Sequence, residues 1–252
     1  MKISVCGKGG SGKSTLVSLL AHQAAARGLQ VLVVDADDSN TGIFQMLGFT
    51  QPPTPLMELV GGKRKLKEKM RRPDILTQDR ITFETLTSPY VCKQNRIHLV
   101  SIGKILQSLE GCACPMGALN REFLSKLVLT ENQMAIVDME AGVEHFGRGV
   151  ETNIDTIMLT VAPSMDSIAV AEKIKHLAAG IQKNLLAVLN NIGSTKVAIK
   201  LESELKQRDI NIIGVIREDP FVFEACLEGR ALDRGTAFDT AGRILEALLS
   251  NP

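Results

Sequence analysis

Tryptophan is absent from this 252-residue sequence, tyrosine occurs once, and aromatic residues make up only 4%. So few rings argue against a surface that stacks nucleic-acid bases. An excess of charge is missing as well: 29 basic and 28 acidic residues leave a formal net charge of +1. No global field therefore draws the chain to nucleic acid or to acidic membranes. No apolar stretch is long enough to cross a bilayer, and Met1 runs straight into a strand pattern without signal-peptide features. These absences lead us to expect a cytoplasmic protein with neither a nucleic-acid nor a membrane partner. In that compartment its five cysteines stay reduced unless they bind metal or do redox work. Apolar residues, in contrast, are plentiful at 44%, enough for a large core, and the length suits a single domain over 1–252.

Short apolar runs recur at 3–6, 31–34, 97–100, 134–137, 156–161, 185–189 and 212–216, with helix-length segments between them. That alternation predicts an α/β fold, a doubly wound and mostly parallel sheet with helices on both faces. The alternating pattern at 81–86 reads as a further strand. His98, flanked by apolar residues, reads as a hydrogen-bonded core histidine, and the lone Cys6, Cys92 and Cys226 as small core residues. Near 51–72 the character changes: Pro52, Pro53 and Pro55 break regular structure, and seven basic residues against one acidic fill 63–72. This basic run reads as a solvated helix face in preference to a docking surface for an acidic partner.

One stretch organises the rest. Gly7-Lys8-Gly9-Gly10-Ser11-Gly12-Lys13-Ser14-Thr15 follows the first strand pattern and opens a helix pattern over 16–27. It matches G-x-x-x-x-G-K-[ST], a phosphate-binding loop. Its glycines let backbone amides turn inward as an array of anion donors, and the helix that follows points its positive end at the same place. Lys13 then reaches the outer phosphates, and the Ser14 hydroxyl is a ligand for Mg²⁺.

Two further segments supply carboxylates. The run 31–34 delivers Asp35-Ala36-Asp37-Asp38-Ser39-Asn40 at its carboxyl end, where ligands bind in open α/β sheets. The run 135–137 ends in Asp138, in the form of a carboxylate that helps hold Mg²⁺. Gly142 lies four residues on, where a glycine lets its amide swing toward a γ-phosphate. No Asn-Lys-x-Asp follows the run 185–189; Asn190-Asn191 stands there, and an amide that both donates and accepts suits adenine. ATP is the expected nucleotide.

The other distinctive stretch is Glu110-Gly111-Cys112-Ala113-Cys114-Pro115-Met116-Gly117. Two thiolates fill half of a tetrahedral shell, so a two-fold dimer could close one four-thiolate site across its axis. Soft sulfur suits Zn²⁺, Ni²⁺ or an iron-sulfur cluster, and affinity alone does not choose among them. Pro115 is expected to hold Cys114 extended. The alternative is a buried structural pair.

The form G-K-G-G-x-G-K-[ST] resembles the deviant Walker A family, which includes the nitrogenase iron protein and the MinD, ParA and arsenite-pump ATPases. The resemblance implies that Lys8 crosses a dimer interface to the partner's phosphates, that Asp37 positions the attacking water, and that Asp138 to Gly142 form a D-x-x-A-G switch. Asp35 matches the first carboxylate of the D-x-D element, its role open. It also implies that an asparagine at 190 or 191 and the backbone at Asp219-Pro220 contact adenine.

Within that family, Gly111 to Gly117, with Leu119, Arg121, Glu122 and Phe123, and Glu144-His145-Phe146-Gly147-Arg148-Gly149 resemble the CooC ATPases, which mature the nickel site of carbon monoxide dehydrogenase. The likeness implies an ATP-hydrolysing homodimer with Lys8, Lys13 and Asp37 as its catalytic residues. Gly9, Gly10, Ser11, Gly12, Lys13, Ser14, Thr15, Asp138 and Gly142 bind the Mg-nucleotide. Cys112 and Cys114 take Ni²⁺ or Zn²⁺ across the dimer, for a client that is carbon monoxide dehydrogenase or a related nickel enzyme. Two rival readings are an iron-sulfur reductase like the nitrogenase iron protein and a MinD- or ParA-like positioning ATPase. The widely separated cysteines of the first and the basic carboxyl-terminal helix of the membrane-binding MinD type are not matched. His145, beside the switch, is as well explained by packing as by coupling and stays outside the catalytic set.

Overall fold

Alternate residues of the apolar runs feed opposite faces of one sheet. Val31, Val33, Met134 and Ile136 enter one buried cluster, while Leu32, Val34, Ala135 and Val137 enter another. A strand packed on both faces needs an apolar side chain at every position, which is why these runs do not alternate with polar residues. The structure is a computed structural model and describes residues 1–70, 74–104 and 114–250.

Its strands are β1 (Lys2–Gly7), β2 (Gln30–Asp35), β3 (Cys92–Gln94), β4 (Ile97–Ser101), β5 (Gln133–Asp138), β6 (Thr156–Val161), β7 (Asn184–Ile192) and β8 (Asn211–Arg217). They form one sheet in the order β3-β4-β2-β5-β1-β6-β7-β8, parallel except for β3 against β4. The helices are α1 (Lys13–Ala26), α2 (Ile43–Met46), α3 (Leu56–Leu59), α4 (Gly62–Lys69), α5 (Cys114–Lys126), α6 (Glu144–Gly147), α7 (Met165–Gly180), α8 (Thr195–Gln207), α9 (Pro220–Glu228) and α10 (Thr236–Ser250). One face is covered by residues of α3, α4, α5, α7 and α8, the other by α1, α2, α9 and α10. The doubly wound α/β fold is thus as the alternation predicts. None of the described helices is long and apolar enough to cross a membrane.

Register places the functional segments. Asp35 pairs with Asp138, Val5 also pairs with Asp138, and Gly7 pairs with Thr160, so the carboxyl ends of β2, β5, β1 and β6 lie side by side.

Four expectations need correction. The segment 81–86 is no strand: Ile81 makes a single bridge to Leu127, after which Thr85 N–H turns back to Thr82 O at 3.2 Å. Its apolar residues pack into the core as loop side chains, Phe83 among them. The edge strand β3 went unseen, because it is short and closes on β4 through Asn95 and Arg96 with φ of 47° and 66°, where an arginine stands in the second place of the usual Asn-Gly hairpin signal. His98 is half-buried against Phe83 at 4.8 Å between ring centres, and its Nδ1 has no hydrogen-bond partner. Cys6 is buried as expected, whereas Cys92 is half-exposed and Cys226 exposed.

The basic run forms α4, anchored by the buried Leu66, with Arg64, Lys65 and Lys67 exposed. That agrees with a solvated face. Arg71 and Arg72 lie outside the described residues.

Candidate functional site

The loop between β1 and α1 turns on Ser11 N–H donating to Lys8 O at 3.1 Å. Gly12 stands at the head of α1 with φ 87°, and a Cβ there would run into the Asn190 amide nitrogen. Only glycine fits both demands. The Asn190 amide donates to Ser11 O at 2.9 Å, while Ser11 Oγ meets Thr160 Oγ1 at 2.6 Å and Thr160 Oγ1 donates to Cys6 O at 3.1 Å. Strand ends β6 and β7 thus brace the loop from below. The Lys13 side chain is buried at the mouth of the loop. Lys8 points elsewhere, to an ion pair with Asp166 at 3.0 Å in which Asp166 is largely exposed.

Ser14 Oγ donates to Asp138 Oδ2 at 2.6 Å and in turn accepts from Asn40 Nδ2 at 2.5 Å. Asp138 is fully buried and its Oδ1 has no hydrogen-bond partner. Burial pushes its carboxyl up to about 7, with the nearby Asp35 adding to the rise and the Ser14 hydrogen bond opposing it. An orphaned carboxylate oxygen beside a serine hydroxyl is a donor set that fits a hard divalent cation. Among the described residues no group of three or more His, Cys, Asp or Glu is placed to hold a metal. A cation here would therefore complete its shell with phosphate oxygens or water.

Asp35 does not face the phosphate loop. Its carboxylate lies 2.7 Å from Lys104 Nζ, which also donates to Asp37 O at 2.5 Å and to Asn40 O. Burial raises the Asp35 carboxyl to about 6 in spite of the ammonium beside it. Asp37 is buried too, and its Oδ1 accepts from Ser39 N–H at 3.0 Å, Ser39 Oγ at 2.6 Å and Asn40 N–H at 3.3 Å. One oxygen of Asp37 is thus engaged in shaping its own turn.

Beyond Asp138 the chain returns to the loop: Gly142, at φ 93°, donates its N–H to Gly7 O at 3.2 Å. Its carbonyl faces His145 Nε2 at 3.2 Å, and His145 Nδ1 meets Glu151 Oε1. Glu140 pairs with Arg148, whose stem lies on Gly117 of α5.

On the other side of the loop, Gly10, Gly12, Thr15, Asn190, Asn191, Arg217, Asp219 and Phe223 border a cleft of about 240 Å³. Asn191 is exposed there; Asn190 is buried with its amide held by Ser11. Asp219 caps α9 through Phe221 N–H at 2.9 Å and also accepts from Ala237 N–H at 2.8 Å. Burial works against its ionisation, yet these backbone donors outweigh it and hold the carboxyl below its ordinary value. Pro220 is exposed at the first position of α9.

Cys114 is not extended before its proline: it opens α5, where Pro115 in the first turn needs no N–H partner. Cys114 is exposed and disulfide-bonded in this structure. Cys112 lies outside the described residues.

Sequence reasoning named Lys13, Ser14, Asp37, Asp138 and Gly142, and the fold brings them to one crevice. It missed Lys104, Thr160 and Glu151, and gave Asn40 no role. Asn40 sat within the quoted acidic segment and could have been raised as a candidate. Lys104 and Glu151 carry no local signal, because only the strand order places them.

A model of the CobQ/CobB/MinD/ParA nucleotide-binding domain matches residues 3–232. An ATP-binding protein of Methanocaldococcus jannaschii is 39% identical over 238 residues, covering 92% of this chain and 94% of that one. The carbon monoxide dehydrogenase accessory protein CooC of Rhodospirillum rubrum is 29% identical over 211 residues, 77% of this chain and 75% of its own. Among solved structures, the septum site-determining protein MinD of Pyrococcus horikoshii, complexed with Mg-ADP, superposes with a TM-score of 0.72 at 17% identity, covering 99% of this chain and 97% of that one. The chain belongs to the CobQ/CobB/MinD/ParA family of P-loop nucleotide-binding domains and is an ATPase.

Proposed function

We propose that this ATPase is a single-domain, homodimeric maturation factor that carries nickel to carbon monoxide dehydrogenase or a related enzyme. The observation that carries the reading is the exposed Cys114 at the head of α5, within a Cys-x-Cys-Pro stretch of a chain 29% identical to CooC. Two copies of a two-thiolate half-site would complete a soft four-coordinate shell. Nickel or zinc is cargo here. Cys112 and Cys114 bind it as thiolates, which requires that Cys114 be reduced first.

The roles at the nucleotide are those that the deviant Walker A pattern implies. Lys13 and the loop amides of Gly9, Gly10, Ser11, Gly12 and Thr15 stabilise charge on the phosphates. Ser14 would ligate Mg²⁺ directly and Asp138 would support it through water; when bound, the ion would neutralise charge on the phosphate oxygens. Asp37 orients the attacking water, Gly142 turns its N–H to the γ-phosphate, and Asn191 with the backbone at Asp219-Pro220 borders the adenine. Lys8 acts on the partner protomer's phosphates. Its link to Asp166 is an exposed pair worth at most about 1 kcal/mol, so a phosphate can draw it away.

The test is metal analysis under reductant and without air, with and without Mg-ATP. One Ni²⁺ or Zn²⁺ per two chains is expected, lost in the Cys112→Ala, Cys114→Ala double variant while ATP binding persists. Unchanged metal stoichiometry in that variant overturns the assignment.

A further inference from the structure

Glu151 is fully buried in the short 3₁₀ turn Val150–Asn153, with Oε1 against His145 Nδ1 and Oε2 without a hydrogen-bond partner. His145 is buried as well, and its other nitrogen faces Gly142 O at 3.2 Å. A carbonyl only accepts, so Nε2 must carry hydrogen. The Nδ1 contact then needs one more proton, on the imidazole or on the carboxyl, and the pair is neutral overall in either case. With that proton in place the Nδ1 side is satisfied by Glu151, and Nε2 is left as the nitrogen that donates to the Gly142 carbonyl.

That donor acts on a peptide clamped at several points. The Gly142–Val143 peptide gives its oxygen to His145 and its N–H to Glu144 Oε2 at 2.9 Å, while the preceding N–H of Gly142 points at Gly7 O. Gly142 has φ 93° and no Cβ, so its own torsions do little to hold this direction. The orientation has to come from neighbours.

We infer that His145, locked by Glu151, is a positioning residue for ATP hydrolysis: it holds the Gly142–Val143 peptide on one side of Gly142 while Gly7 O takes the N–H on the other, and so restricts the turn from which that N–H is presented. This rests on the placement of Gly142 at the γ-phosphate proposed above. His145 touches neither nucleotide nor water and acts through the backbone alone.

The test is steady-state ATPase kinetics with Mg²⁺, together with ADP affinity and thermal melting. His145→Ala should lower kcat by about 10- to 100-fold, less than the loss of a direct transition-state donor, with KM for ATP and ADP affinity within about twofold of the parent. His145→Gln, whose amide supplies an N–H of similar reach, should restore most of kcat. If His145→Ala does not fold, Glu151→Gln and Glu151→Leu decide. Both are close in size, but only glutamine can donate to Nδ1 and preserve the tautomer, so only the leucine variant should lose turnover. Equal rates in those two, or a glutamine at 145 no better than alanine, overturn the proposal. Normal turnover in His145→Ala with impaired Gly142→Ala overturns it alone. Normal turnover in both removes the assigned role of Gly142 with it.

Discussion

Lys104 Nζ lies 2.7 Å from Asp35 Oδ2, and the same ammonium holds the Asp37 and Asn40 carbonyls. It is a staple between a strand end and the loop that carries Asp37. Lys104→Met should cost about 3 kcal/mol at pH 8, since it strands a buried carboxylate, and less at pH 5, where Asp35 takes up a proton. Adding Asp35→Asn should recover much of the stability in chemical denaturation while kcat stays low. Full recovery of kcat in the double variant would show that the staple has no part in placing the loop.

The two raised carboxyls make the nucleotide-free protein sensitive to pH in a definite sense. Asp35 and Asp138 titrate at about 6 and about 7 in the fold, against an ordinary value near 3.8. Between pH 4 and pH 7 these two groups therefore hold more protons in the folded chain than in the unfolded one, and their contribution to stability falls as pH rises through that window, while His22 and His98, whose imidazoles burial holds below their ordinary value, contribute in the opposite sense. From pH 5 to pH 8 the melting temperature without nucleotide should fall relative to that of Asp138→Asn. Asp138→Asn should flatten the upper part of that slope and weaken Mg²⁺-dependent nucleotide binding. A pH profile of melting that is the same in the parent and in Asp138→Asn contradicts the assignment.

Asp37 is both a turn former and the proposed water-orienting carboxylate, and two substitutions separate these. Asparagine keeps an oxygen for the Ser39 and Asn40 donors; alanine does not. Asp37→Asn should melt within about 1 kcal/mol of the parent and yet lose turnover by about 100-fold or more. Asp37→Ala should lose both. Retained hydrolysis in the asparagine variant removes the chemical role.

Gly117 tests the seam between α5 and the segment after Asp138. A Cβ there overlaps the Arg148 side chain, which pairs with Glu140. Gly117→Ala should destabilise by about 1–3 kcal/mol through overpacking, and the further change Arg148→Ala should relieve part of it. Additive losses in the double variant would mean the two do not meet.

The parallel sheet, the phosphate loop and the acidic strand ends were legible because each writes a local pattern: continuous apolar runs, fixed glycine spacing, a carboxylate directly after a strand. The segment at 81–86 misled because a loop lying on a core also needs apolar side chains. His145 could not be judged from sequence, since its partner Glu151 becomes meaningful only once a 3₁₀ turn folds it underneath. Lys104 was silent for a similar reason: β4 lies beside β2 in space and far from it along the chain.

The pairing of β2 with β5 in register sets Asp35 across from Asp138, so two acid groups sit together where water is scarce. A nucleotide-free protomer near neutrality is then partly hydrogen-loaded, and taking on Mg²⁺ discharges part of that load into the buffer. Titration calorimetry of Mg-ADP should accordingly give heats that vary with the buffer's own ionisation enthalpy, and the magnitude of that variation counts the protons expelled.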